Sequence, residues 1–157
     1  MKVLIQGKRE FNKFMEYNNI IDDNVTTKDM MIISINNHIE DINSYFKRQH
    51  SNVMIMHFGD YSIDEFNKND FSGPTGIFNE YKAKKLYEFI KRNKEKKLAV
   101  LHCGAGISRS GAIGTFIFDL YGEGTFEEFK RKNPRVQPNQ HILRLLNEQK
   151  RNDKSIT

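Results

Sequence analysis

The sequence of 157 residues predicts an α/β fold with a central, mostly parallel sheet of about four to five strands and helices on both faces. Three observations carry that expectation. Short apolar runs of strand length alternate along the chain with segments whose apolar residues recur at helical spacing. One of these runs, Leu98-Ala99-Val100-Leu101-His102-Cys103, stops in a glycine-rich loop that opens directly into a helical pattern. The longest polar stretch, residues 59–76, follows the end of another apolar run, and open α/β sheets bind ligands beyond that edge of their strands.

Each element follows from its own residues. Residues 2–6 read as a short strand, and residues 9–17 set Phe11, Phe14 and Met15 at helical spacing. Residues 30–35 form a second, wholly buried strand. Residues 38–46 predict a helix or helical loop with Ile39, Ile42 and Phe46 inward, and residues 53–58 a third strand. Gly73-Pro74 and Gly76 mark a turn before a helix from about Ile77 to Arg92, with Phe78, Tyr81, Leu86, Phe89 and Ile90 as inward candidates. The basic run 91–97 suits a solvated helix end, because cations are favourable at a helix C-terminus whatever the function. Beyond the central strand, residues 111–121 are helical and Gly122-Glu123-Gly124 ends them. Thr125 is the N-cap of the next helix, with Glu128 at the capping-box position. A last helix carries Ile142, Leu143, Leu145 and Leu146, and Pro138-Asn139 starts it.

Composition narrows the classes of function. Residues 1–157 form a single domain, 38% hydrophobic and 29% charged, with no apolar run near the ~20 residues of a membrane span. The apolar stretch at the start is too short for a signal peptide. One cysteine excludes a disulfide within the chain, and a reactive thiol belongs in a reducing compartment, so a cytoplasmic location is expected. A net charge of +5 favours anionic partners. Nucleic acid is not expected among them, since the basic run is accounted for as a helix end. His38, His50, His57, His102 and His141 show neither paired spacing nor companion cysteines, so no metal is expected.

The loop after Cys103 is built to hold an oxyanion. Gly104 and Gly106 allow backbone conformations closed to other residues, so successive N–H groups along Gly104, Ala105, Gly106, Ile107 and Ser108 can turn inward as a nest. The helix that follows adds its unpaired N–H groups and dipole, and Arg109 adds a planar fork suited to two phosphate oxygens. In that field the Cys103 thiol titrates below its ordinary range and stands ready as a nucleophile. Ser110 can donate a hydrogen bond to the sulfur and ease its departure in a later step, while His102 orders the loop from behind as a supporting residue, not a base. A cysteine at the end of a buried strand is, by itself, an inert small hydrophobe. The two glycines, Arg109 and Ser110 together set this one apart.

His102-Cys103 through Arg109-Ser110 reads H-C-x5-R-S, and this resembles the signature loop of the cysteine-based protein tyrosine phosphatases. The form H-C-x-A-G-x-S-R-S is similar to the dual-specificity branch and its small microbial and viral relatives. The resemblance runs from about residue 30 to residue 146 and includes Pro138-Asn139. It implies hydrolysis of phosphomonoesters on a phosphoprotein through a cysteinyl-phosphate intermediate, without a cofactor. The substrate would be phosphotyrosine and, where the pocket is shallow enough, phosphoserine or phosphothreonine.

The resemblance also implies an aspartic acid that protonates the leaving oxygen. Asp60 stands where it is expected, after Met56-His57-Phe58. The family's Trp-Pro-Asp is absent, Asp64 and Asp70 share the loop, and Asp70 has the more usual distance to the cysteine. Gln137, Asn139 and Gln140 are further candidates for placing the hydrolytic water. The alternatives are a phosphate-binding pseudophosphatase that keeps the cradle without the acid, an RNA 5′-triphosphatase and a phosphoinositide phosphatase of the same superfamily. Residues 104–108 lack the lysines usual in the phosphoinositide enzymes, and Ser108 and Ser110 stand where the triphosphatases usually have Asn and Thr.

Overall fold

Four strands, β1 (Lys2–Gly7), β2 (Met30–Asn36), β3 (Val53–His57) and β4 (Leu98–Cys103), pair in parallel in the order β1-β4-β2-β3. The computed structural model describes residues 1–37, 44–61 and 76–156. Among the described residues five α-helices accompany the strands: α1 (Lys8–Tyr17), α2 (Glu80–Arg92), α3 (Arg109–Tyr121), α4 (Phe126–Lys132) and α5 (Gln140–Asn152). The sheet agrees with the expected fold class, at four strands among the described residues. Among the described residues no helix is long and apolar enough to cross a membrane.

Parallel strands buried on both faces read as continuous apolar runs, and alternate residues of the runs here go to opposite sides. Ile32, Val53 and Val100 pack with Phe11 and Met15 of α1, together with Ile20, Val25 and Phe46. Met31, Ile33, Ile35, Ala99 and Leu101 pack on the other face against Leu86 and Ile90 of α2, Ile113 and Phe116 of α3, and Ile142 and Leu146 of α5. Phe11 is fully buried at the centre of the first layer. Truncating such a side chain costs about 3–5 kcal/mol.

Both edges of the sheet are closed by side-chain amides. Asn133, itself buried, accepts from the Ile5 N–H at 2.9 Å and donates to the Val3 carbonyl at 3.2 Å along β1. Gln49 accepts from the Ile55 N–H at 2.7 Å and donates to the Ile55 carbonyl at 2.8 Å along β3. Each amide stands in for a neighbouring strand and blocks pairing with another chain at that point.

Several local expectations hold and others change. Thr125 Oγ1 accepts from the Glu128 N–H at 3.1 Å, as an N-cap should. Lys91 and Arg92 end α2, where Lys91 Nζ pairs with Asp153 at 2.6 Å. That helix begins later than its pattern suggests. Asn79 caps it by accepting from the Lys82 N–H at 3.0 Å, so Ile77 and Phe78 are buried in the chain before it. Tyr81 therefore falls on the outer face at 65% exposure, and Tyr87 takes an inward place with Ala83, Leu86 and Ile90. Of the expected helix over 38–46, residues 38–43 with Ile39 and Ile42 lie outside the described residues. Residues 44–46 are irregular, and Phe46 points inward as expected. Asp64, Asp70, Gly73 and Pro74 also lie outside the described residues.

Candidate active site

β4 sits between β1 and β2, so its C-terminal residue, Cys103, emerges near the middle of the sheet edge. The loop that follows is pressed against the end of β1. Gly106 has φ +75°, and a Cβ there would lie 2.5 Å from the Gln6 carbonyl carbon and 2.6 Å from the Gly7 nitrogen. Both the conformation and the close approach of backbone demand glycine.

The direction of the loop's N–H groups follows from what holds its carbonyls. His102 Nδ1 lies 3.2 Å from the Cys103 carbonyl, and the Lys8 N–H donates to that of Gly104 at 3.1 Å. The Arg135 guanidinium donates to Ala105, and the Gln137 N–H to Ile107 at 3.0 Å. The Ser108 carbonyl accepts from the N–H groups of Ala112 and Asn139, at 2.9 and 3.0 Å. A planar trans peptide sends its C=O and the next N–H in opposite directions. With these five carbonyls tied outward, the N–H groups that follow them line the inside of the loop. Inward N–H groups in succession are the arrangement of an anion-binding nest.

The sulfur lies at the floor of this nest. Cys103 is 2% exposed, with Ser110 Oγ 3.0 Å from Sγ and the Gly106 N–H donating to Sγ at 3.3 Å. Burial pushes the thiol up, but the Ser110 hydroxyl, the Ser110 and Gly106 N–H groups and the Arg109 charge outweigh it and hold the thiol below its ordinary value. Arg109 is 7% exposed at the start of α3, and its Nη1 donates to the Phe58 carbonyl at 2.8 Å. The cation is thereby fixed between the loop and the chain that continues β3.

That continuing chain brings in Asp60. The Phe58 N–H donates to the Asn36 carbonyl at 3.0 Å and the Gly59 N–H to that of Gly76 at 2.8 Å. Asp60 Oδ1 then accepts from Ser108 Oγ at 2.8 Å and from Asn139 Nδ2 at 2.7 Å. Ser108 occupies the N-cap position of α3 without capping it, because its hydroxyl is turned to Asp60. The start of that helix therefore has no side-chain cap.

The expected residues divide accordingly. Cys103, residues 104–108, Arg109 and Ser110 share one loop and helix start, Asp60 touches that loop, and His102 lies behind it. The side chain of Gln140 donates to the Pro138 carbonyl at 3.1 Å, and Gln137 meets the loop through its backbone. Asn139, a candidate for placing the hydrolytic water, donates to Asp60, and two side chains had no expected place: Arg135 on the Ala105 carbonyl, and Ser34, whose Oγ lies 2.6 Å from His102 Nε2. The only trace of the last in the sequence is one hydroxyl inside the apolar run 30–35. Among the described residues no group of three or more His, Cys, Asp or Glu gathers as metal ligands would.

No protein-family model matches the chain. The search of curated proteins also finds no match. Solved structures do. The PTP-2 phosphatase of Cydia pomonella superposes with a TM-score of 0.52 at 16% identity, over 94% of this chain and 85% of that one. Tk-PTP in its active form gives a TM-score of 0.48 at 17% identity, over 98% of this chain and 94% of that one. The parallel sheet with its flanking helices has the fold of protein tyrosine phosphatase structures.

Proposed function

We propose that the chain hydrolyses phosphate monoesters on proteins, phosphotyrosine first among them, through a cysteinyl-phosphate intermediate. The observation that carries this is the sulfur of Cys103 at the floor of a nest whose carbonyls are tied outward and whose rim holds Arg109. The likeness in fold supports it.

In the first step Cys103 Sγ attacks phosphorus in line, the bond from phosphorus to the ester oxygen breaks, and that oxygen takes a proton from Asp60. The hydrogen bonds at Asp60 fix which oxygen faces the loop. Oδ1 accepts from both Ser108 and Asn139, so the acid form carries its proton on Oδ2. As the equatorial oxygens gain charge, the nest and Arg109 stabilise them without reorganising. In the second step water attacks the cysteinyl phosphate and gives its proton to Asp60. Inorganic phosphate leaves, and the thiolate is restored with a hydrogen bond from Ser110. No electrons are exchanged.

The contact of Asp60 with Ser108 favours an enzyme over a module that only binds phosphate, since such a module has no use for a carboxylate beside an anion cradle. The test is a panel of phosphotyrosyl, phosphoseryl, phosphothreonyl, phosphoinositide and 5′-triphosphorylated RNA substrates, each with wild type, Cys103→Ser and Asp60→Asn. Turnover of phosphotyrosyl peptide is expected, with loss in Cys103→Ser. Asp60→Asn should slow tyrosyl phosphate by about 10²–10⁴-fold, the usual worth of a general acid, and an aryl phosphate with a good leaving group much less. Hydrolysis of RNA triphosphate or phosphoinositide alone would move the substrate class, and no turnover on any compound would remove the proposal.

A further inference from the structure

Strand β2 carries one hydroxyl in an apolar run. Ser34 is fully buried, and its Oγ lies 2.6 Å from Nε2 of His102, which is 1% exposed. The two strands are in register here, Ser34 facing His102, so the contact is set by the sheet itself. On its other side the His102 ring lies against Phe11 of α1, with centroids 4.2 Å apart. Nδ1 is 3.2 Å from the Cys103 carbonyl. A carbonyl can only accept, so in a neutral imidazole Nδ1 bears the proton and Nε2 is left as an acceptor. The Ser34 hydroxyl therefore donates to Nε2.

We infer that Ser34 is a positioning residue for the catalytic loop: by donating to Nε2 it fixes the His102 tautomer, and through the Cys103 carbonyl it aims the Gly104 N–H into the anion nest. The link is covalent geometry. The Cys103–Gly104 peptide is planar, so a carbonyl drawn back towards the ring sends the Gly104 N–H forward. Without the Ser34 hydroxyl the proton can move to Nε2, and Nδ1 then faces the carbonyl oxygen as a second acceptor. The two repel, the peptide turns, and the nest loses its first donor while the sulfur shifts from its partners. Around that sulfur stand Ser110 and the charged Arg109 from α3 and the Gly106 N–H from the loop. Among the described residues, Ser34 from β2 and Phe11 from α1 stand against the ring.

The kinetic consequence rests on the proposed phosphatase activity, but the state of the thiol does not, and the two are measured apart. Threonine and valine have the same shape and differ at the hydroxyl, so Ser34→Thr against Ser34→Val isolates the hydrogen bond from packing. Cys103 is the sole cysteine, so its alkylation by iodoacetamide is unambiguous. Ser34→Val should move the alkylation profile to higher pH and lower kcat on p-nitrophenyl phosphate by about tenfold or more, with KM nearly unchanged, while Ser34→Thr stays near wild type. Nitrogen shifts of His102 in the wild-type protein should show the Nδ1–H tautomer. If wild type turns over no phosphate ester, the alkylation profile and the nitrogen shifts decide alone. An Nε2–H tautomer, or a Ser34→Val protein that melts lower yet matches Ser34→Thr in alkylation and kcat, would overturn the inference.

Discussion

Asn139 holds Asp60 and starts α5 with one side chain: Nδ2 donates to Asp60 Oδ1 at 2.7 Å, and Oδ1 accepts from the Ile142 N–H at 3.0 Å. Nδ2 also reaches the Tyr61 carbonyl at 2.8 Å. The two duties can be separated, because aspartate caps a helix about as well as asparagine but has no N–H to give. Asn139→Asp should keep the cap but set a second carboxylate against Asp60 and the Tyr61 carbonyl, and lose rate on poor leaving groups, approaching the Asp60→Asn deficit of about 10²–10⁴-fold. Melting curves and a leaving-group series measured side by side check it. Asn139→Ala should lose both, with the missing cap costing about 1 kcal/mol.

The thiol of Cys103 gives a pH dependence with a definite sign. Its pKa in the fold is held below the ordinary value by the hydrogen bonds of Ser110 and Gly106 and the charge of Arg109, so the thiolate forms at lower pH than in a free thiol. Alkylation of the wild type should rise through a midpoint below the usual ~8.5. Removing the hydroxyl in Ser110→Ala raises that midpoint and also makes the sulfur a poorer leaving group. Stopped-flow traces should then show a burst, as cysteinyl phosphate accumulates ahead of a slowed second step.

Arg109 is proposed to hold two phosphate oxygens with its planar fork. Its guanidinium is anchored through Nη1 to the Phe58 carbonyl, and a Cβ on Gly104 would come within 3.4 Å of Nη2, so the fork lies across the start of the loop. Lysine keeps the charge but neither the fork nor the anchor. Arg109→Lys should lower kcat by about 10²–10³-fold, the cost of losing one transition-state donor. Steady-state kinetics on an aryl phosphate reads this directly.

Gly106 and Gly124 test strain at the loop against strain elsewhere, since both have positive φ. A Cβ on Gly106 meets the backbone of Gln6 and Gly7, which cannot yield without moving β1, whereas on Gly124 it meets the end of the Glu128 side chain, which can. Both Gly→Ala variants should lose about 1–3 kcal/mol from the disfavoured φ, with Tm falling roughly 2–4 °C per kcal/mol. Only Gly106→Ala should also lose activity. Thermal melts and kcat on both proteins decide it.

The sequence by itself determined the fold class and the loop. Strand and helix periods are local, and Cys103, the two glycines, Arg109 and Ser110 are contiguous, so the cradle could be read from chain geometry alone. The cap at Thr125 and the helix start at Pro138-Asn139 were legible for the same reason, and in both the capping side chain bonds three residues along. Tertiary structure decided the rest. The order β1-β4-β2-β3 puts Ser34 beside His102, 68 positions away, and brings Asp60 to Asn139 across 79. No spacing along the chain encodes either pair. The layering of α2 turned Tyr87 inward and left Tyr81 in solvent, a choice that depends on where the helix starts against the sheet and not on the tyrosines. Local hydrogen-bond geometry and hydrophobic period are properties of a segment. Which carbonyl a guanidinium or an imidazole finds depends on neighbours that exist only once the sheet has formed.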